Sequence, residues 1–232
     1  RDAEKAVQLI CSGKLVDQAA EKDSMRVIIN REDVKKYLGV EPVPRGNFPE
    51  EAIPGISKAL SVCNGGITGS TFAVETVLTE GEECLEVTGL PKETVMDSVK
   101  IAVTYIKKRY PTFLKEKEIH IHFGEGAITK DGPSAGVAVF TSILSAAVNK
   151  PIMDKKAYDI AYTGEISLTG GIFAVGSIFE KIQAACDSGC SKVFIPMQNY
   201  ERLDEQRLEE FACDVIPVKH LSEVVAAIYP EL

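Results

Sequence analysis

Two side chains in this sequence have the type and setting for covalent chemistry, Ser134 and Lys181. Ser134 lies in "KDGPSAG" (130–136), where Gly132 and Pro133 interrupt what precedes and an uncharged apolar run begins directly after. Proline suits the first position of a helix, because the donor it lacks would have no partner there. That spacing predicts Ser134 in a first helical turn, where free backbone N–H groups and the positive end of the helix dipole stabilise an oxyanion beside the hydroxyl. Ala135 and Gly136 are small enough to leave room for a substrate backbone. The same residues also make a plain helix start, with Asp131 or Ser134 as a cap.

A serine nucleophile needs a base. "VGSIFEKIQAACDSGC" (175–190) predicts a helix opened by a Ser177–Glu180 capping box and stopped by Gly189. Its apolar stripe is Ile178, Ile182, Ala185 and Cys186, and Lys181 falls on that stripe while Glu180, Gln183 and Asp187 fall elsewhere. Burial lowers a lysine from its ordinary value of about 10.4, and a nearby helix N-terminus pushes the same way. A neutral amine accepts the proton of a serine hydroxyl, the serine–lysine version of nucleophile and base. The alternative for Lys181 is a stem that snorkels to the surface. His120 and His122, two apart on a predicted strand and so on one face, are candidates for a triad or for metal ligation; no third ligand is evident, and a structural role is expected.

These residues need a scaffold. The 232 residues are 45% hydrophobic and 26% charged, enough for a sizeable core, and 26 basic against 34 acidic side chains give a net charge of -8, which argues against broad nucleic-acid binding. The longest uncharged run, Ser134 to Val148, is shorter than the roughly 18 to 20 residues of a membrane span and predicts a buried helix. Six scattered cysteines without a CxxC pair, and no signal peptide, predict a reducing compartment. The chain opens at Arg1 within a helix-like stretch (1–21), which predicts a piece of something longer.

Next comes "RVIINREDVKKYLG" (26–39), expected as a short strand, an Asn30 cap and a helix stopped at Gly39. The proline-rich "VEPVPRGNFPEEAIPG" (40–55) is linker-like and sets a boundary near residue 46, giving an appendage over 1–46 and a main domain over 47–232. In the main domain, strands are expected at "GSTFAVETVL", "CLEVTG", "EIHIHF", 158–163 and "KVFIP", and helices at 93–109, 131–148 and 178–188. A Thr169-Gly170-Gly171 turn and a closing strand–helix unit near Ile228 complete the pattern. Mixed strands and helices in one unit mean α/β or α+β.

"EGAITKDGPSAG", "YTGEISLTGGIFAVGSIFEKIQAA" and "KVFIPMQN" together resemble the proteolytic domain of Lon, the ATP-dependent AAA+ serine protease, in its A-type branch, over most of residues 64–225. "RVIINREDVKKYLG" is similar to the end of Lon's ATPase helical subdomain, which makes the appendage that subdomain's truncated tail. The resemblance implies a serine endopeptidase with Ser134 as nucleophile and Lys181 as general base. It also implies that the Thr163 hydroxyl, in Thr163-Gly164-Glu165, hydrogen-bonds and orients the lysine. Asp131 matches the family aspartate whose position governs open and closed forms of the nucleophile loop, and Gly132 and Ala135 flank the serine.

The implied substrates are unfolded or damaged proteins, and the implied assembly is a homo-hexameric ring in the cytoplasm or, alternatively, the mitochondrial matrix. Cleavage itself is expected to need no metal or cofactor, with ATP and Mg entering through an ATPase module; no GxxxxGK[ST] phosphate loop occurs in these residues. Phe72 stands where the family usually has tryptophan, a shortened hairpin is expected between Phe72 and Glu75, and Gly124-Glu125-Gly126 replaces Pro-Glu-Gly. Two rival readings are a phosphate-binding loop of a small-molecule kinase, with Lys181 as phosphate partner, and a silent ring-forming module. Only the protease needs a neutral amine beside Ser134.

Overall fold

The computed structural model describes residues 2–21, 29, 33, 36–37, 48–63, 68–124, 131–204, 208–209 and 211–232. Contacts divide the chain into two units, Arg1–Arg45 and Gly46–Leu232. The first contains α1 (Asp2–Glu21), in which Ile10 is buried and Lys14 pairs with Asp33. The expected strand, Asn30 cap and Gly39 stop, and most of the proline-rich segment, lie outside the described residues.

The second unit is built on a seven-stranded sheet in the order β3-β4-β2-β1-β5-β8-β9. Its strands are β1 (Ile56–Cys63), β2 (Thr68–Glu80), β3 (Leu85–Thr88), β4 (Lys117–Phe123), β5 (Ile160–Tyr162), β8 (Lys192–Pro196) and β9 (Asp214–Val218); β6 (Glu165–Ile166) and β7 (Ile172–Phe173) form a separate hairpin. β2 runs antiparallel to β1 and β4, whereas β1, β5, β8 and β9 are parallel neighbours. Alternation along the strands sends opposite sets of side chains to the two faces. Ala59, Phe72, Val74, Ile119, Ile121 and Phe123 join the larger core with α2 (Glu93–Arg109) and α3 (Gly136–Val148), while Leu60, Ala161, Val193 and Ile195 pack with α4 (Ile178–Asp187) on the other face. Two short elements close the chain, α5 (Met197–Tyr200) and α6 (Leu221–Ile228).

α3 is buried on every side from Gly136 to Ser145, the pattern of a helix enclosed between a sheet and another helix. Its hydroxyls are therefore all matched. Ser142 Oγ donates to Gly55 O (2.7 Å) and shares a 2.6 Å hydrogen bond with Thr76 Oγ1, Ser57 Oγ donates to Ala138 O (2.7 Å), and Ser145 Oγ takes the Gly55 N–H (2.9 Å). These bonds tie the helix to β1, β2 and the bend before β1.

Three expectations change. The expected 131–148 helix is a 3-10 turn at Pro133–Ala135 followed by α3, because Gly132 takes a left-handed φ of 90° that a continuous helix does not allow. β1, the strand paired to both β2 and β5, was not among the expected strands: its buried positions include Ser57 and Lys58, which hide the apolar alternation. No hairpin lies at Phe72–Glu75, since β2 runs unbroken there with Phe72 packed 6.4 Å from the Phe123 ring.

Ser142→Ala strands the Thr76 hydroxyl in the core. It lowers unfolding free energy by about 1 to 3 kcal/mol, read from the urea midpoint at constant slope; an unchanged midpoint would show that the hydroxyl bridge contributes nothing.

Candidate active site

The parallel strands β1, β5 and β8 deliver their C-terminal ends to one edge of the unit, and the segments leaving or entering there carry the candidate residues. In sheets of parallel strands that edge is where sites are assembled. Directly after β5, Thr163-Gly164-Glu165 docks on the turn that carries Ser134. Gly164 N–H donates to Ser134 O (2.8 Å), Thr163 Oγ1 donates to the same oxygen (3.2 Å), and Val137 N–H returns a bond to Gly164 O (3.2 Å). A Cβ on Gly136 would lie 2.8 Å from Ile166 Cγ1 and 3.1 Å from Gly164 O. The space at Gly136 is thus filled by the protein's own 164–166 segment rather than kept for substrate, while Ala135 is itself buried.

The outer side of the turn is held by the start of α2. Asp131 is exposed and pairs with Lys92 (2.7 Å), accepts from Thr94 Oγ1 (3.2 Å), and takes the Gly132 N–H (2.8 Å), which also reaches Thr94 Oγ1 (3.0 Å). The Lys92 ammonium is the chief reason that the Asp131 carboxyl is held below the usual carboxylate range. Ser98 Oγ adds a 3.4 Å bond to Pro133 O. Sequence reading did not find Lys92, Thr94 or Ser98; a lysine and two hydroxyls in the first turns of a helix carry no signal until the fold sets them beside the loop.

Lys181 comes from the opposite face of the sheet to the same edge. α4 crosses the start of β2 so closely that a Cβ on Gly69 would be 2.0 Å from Glu180 O, and Gly69 pairs with Val62 at the end of β1, the strand the Ser134 turn also packs on. Ile182, Ala184 and Ala185 bury that side of the helix, and Lys181 goes in with them at 3% exposure. Burial lowers its amine from 10.5 to about 8. Ser177, expected as a capping box, has a left-handed backbone (φ 50°) and makes no side-chain cap bond; the helix is fixed by packing instead. Gly189, with φ of 77°, follows the helix end as expected.

Among the described residues no hydrogen bond joins the Ser134 hydroxyl to the Lys181 amine. Thr163, expected to orient the lysine, instead directs its fully buried hydroxyl to the Ser134 carbonyl, the acceptor that a buried donor requires. His120 and His122 point away from the larger core and share Thr88 Oγ1, at 3.1 and 2.8 Å. No group of three or more His, Cys, Asp or Glu suited to a metal occurs among the described residues.

Residues 28–230 match the family described as the Lon protease (S16) C-terminal proteolytic domain. The chain belongs to that family. Lon protease of Fusobacterium nucleatum subsp. nucleatum is 35% identical over 88% of this chain and 27% of its own length. Lon protease of Escherichia coli (strain K12) is 32% identical over 97% of this chain and 29% of its own. A relative named Lon protease homolog, mitochondrial, from Scheffersomyces stipitis is 34% identical over 90% of this chain and 20% of its own. The chain therefore spans only 20% to 29% of the length of these relatives, and its membership makes it a serine-type peptidase domain of the Lon type.

The buried lysine makes a linkage prediction. Its folded pKa is depressed below the unfolded value, so the native state binds fewer protons and its burial penalty is full below about pH 8 and gone above 10.5. Lys181→Met therefore raises stability at pH 7 by up to roughly 3 kcal/mol, and the advantage shrinks as pH climbs from about 8 to 10.5. Paired urea titrations of the two proteins check this; a gap that is absent at pH 7, or that widens with pH, contradicts the assignment.

Proposed function

We propose that this chain is the proteolytic part of an ATP-dependent Lon-type protease and cleaves peptide bonds of unfolded or damaged proteins with Ser134 as nucleophile and Lys181 as general base. The observation that carries this reading is Lys181, 97% withdrawn from solvent by its 3% exposure and depressed to about 8, at the sheet edge to which the Ser134 turn is also fastened. An amine at about 8 is partly neutral at ordinary pH, the state a proton acceptor needs.

Lys181 Nζ takes the Ser134 proton as Oγ attacks the scissile carbonyl, and the resulting oxyanion is stabilised by backbone N–H groups of the turn flanked by Gly132 and Ala135. Lys181 then returns the proton to the leaving amine, and water hydrolyses the acyl-enzyme. Serine and lysine supply nucleophile and base, so the step as proposed needs no metal or cofactor. Thr163 positions the serine through its carbonyl, and Asp131 holds the outer side of the turn. ATP and Mg act through an ATPase module, with residues 1–46 as the tail of its helical subdomain, and the chain works in a homo-hexameric ring in the cytoplasm or, as the name of the Scheffersomyces stipitis relative suggests, the mitochondrial matrix.

Hydrolysis of a fluorogenic peptide and of an unfolded protein is measured from pH 6 to 10. Activity rises through a limb near the lysine's value of about 8. Ser134→Ala abolishes turnover and Lys181→Ala lowers kcat by about 10²- to 10⁴-fold. Full activity in Lys181→Ala would remove the lysine from the mechanism.

A further inference from the structure

Three of the chain's cysteines belong to the smaller core, beside the helix that carries Lys181. Cys186, in the last turn of α4, is joined by a disulfide to Cys213, the residue before β9; their Cα atoms are 5.4 Å apart and they are 27 residues apart in sequence. The lack of a CxxC pair predicted thiols, but two cysteines distant in the chain become neighbours once β8 and β9 pair. Cys190 remains a free, buried thiol in the same cluster, with Ser188 Oγ at 3.4 Å and the Lys58 amine against it.

We infer that Cys186–Cys213 is a reversible thiol–disulfide site that fixes the helix bearing Lys181, so that the redox state of this pair sets the rate of peptide cleavage. The inference rests on Lys181 as the base. α4 has only 10 residues, and Lys181 and Cys186 lie five apart within it. One end of the helix is pressed on β2 at Gly69, and its buried side rests on Ile182, Ala184 and Ala185. The disulfide is the covalent fastening at the other end, and it runs to β9, the edge strand of the sheet. A short helix held at both ends keeps a buried side chain in one place; with one end released, the helix shifts and admits water around the amine.

The chemistry balances with a dithiol as reductant. Cys186 is partly exposed while Cys213 and Cys190 are buried, so attack is assigned to Cys186 Sγ. A reductant thiolate attacks it and forms a mixed disulfide as Cys213 leaves as thiolate; the reductant's second thiol then closes its own disulfide and expels Cys186. Two electrons and two protons pass from the dithiol to the cysteine pair, and oxidation reverses the sequence.

The 232-residue chain is prepared air-oxidised and dithiol-reduced, its redox state checked by thiol alkylation and intact mass, beside Cys213→Ser as a permanently open form. Hydrogen–deuterium exchange of 178–187 is read together with kcat on the fluorogenic peptide, with exchange in α3 as the control for general loosening. Reduction is expected to speed exchange across 178–187 at least tenfold, to leave α3 unchanged and to lower kcat at least threefold, with Cys213→Ser matching the reduced protein. The inference is overturned if air-oxidised protein keeps both thiols alkylatable, or if exchange and kcat are equal in the two states. If neither state cleaves while the exchange difference persists, the staple stands and the Ser134–Lys181 reading fails.

Discussion

The bond from Gly164 N–H to the Ser134 carbonyl, 2.8 Å long, is the contact on which the rest of the site depends. It fixes the serine's own backbone against the segment that leaves β5, a strand at the centre of the parallel half of the sheet. Backbone groups buried at such a junction must pair, and here they do so in both directions, with Val137 N–H returning to Gly164 O. The approach is possible because two residues lack a Cβ. One on Gly136 would press on Gly164 O and Ile166, and one on Gly164 would lie 2.8 Å from both Ile172 Cγ2 and Val137 Cγ2. Small residues around a nucleophile are easily taken as clearance for substrate. In this fold they are clearance for the protein itself.

Among the described residues of this unit two lysines are buried, Lys58 and Lys181, and they differ in what surrounds the charge. Lys58, 5% exposed, has compensation: its amine lies 4.7 Å from the centre of the Phe48 ring, and Cys190 and Asp159 both act to keep it charged against the dominant effect of burial. Lys181 is depressed by burial, and among the described residues no charge or hydrogen bond opposes that. Burying a charge without a partner is expensive, and a protein retains such a group where its neutral form has a use. The uncompensated lysine, not the better partnered one, is the lysine that shares an edge with Ser134.

Periodicity made α2, α4 and β4 legible, because each sets a clear apolar stripe or alternation against polar positions. The position of Lys181 on the apolar stripe was legible for the same reason, but the stripe left a snorkelling stem open, and only its 3% exposure in the fold settles the inward placing. β1 escaped because Ser57 and Lys58 occupy buried positions, and what makes them tolerable there is tertiary: a carbonyl of α3 for the serine, a ring and a thiol for the lysine. The Ser177–Glu180 pattern had the right letters for a capping box, yet packing against β2 set the helix start and left Ser177 left-handed. Cys186 with Cys213, and Lys92 and Thr94 with Asp131, were illegible in principle, since each set is united only by strand order and helix docking.

The Ser134 turn is fastened unequally on its two sides, and the inequality follows from solvent. On the inner side its bonds are to buried backbone and to the fully buried Thr163 hydroxyl, where water does not compete. On the outer side Lys92 and Asp131 are 56% and 55% exposed, so their ion pair is screened by salt and contributes little to holding the loop. Gly132, with its left-handed φ and no atom within 4 Å of where a Cβ would be, stands between the two sides as the residue best able to change direction. The Ser134 carbonyl is thus the fixed point of the turn, and the Gly132 N–H, shared between Asp131 and Thr94 Oγ1, is its hold on the side that water reaches.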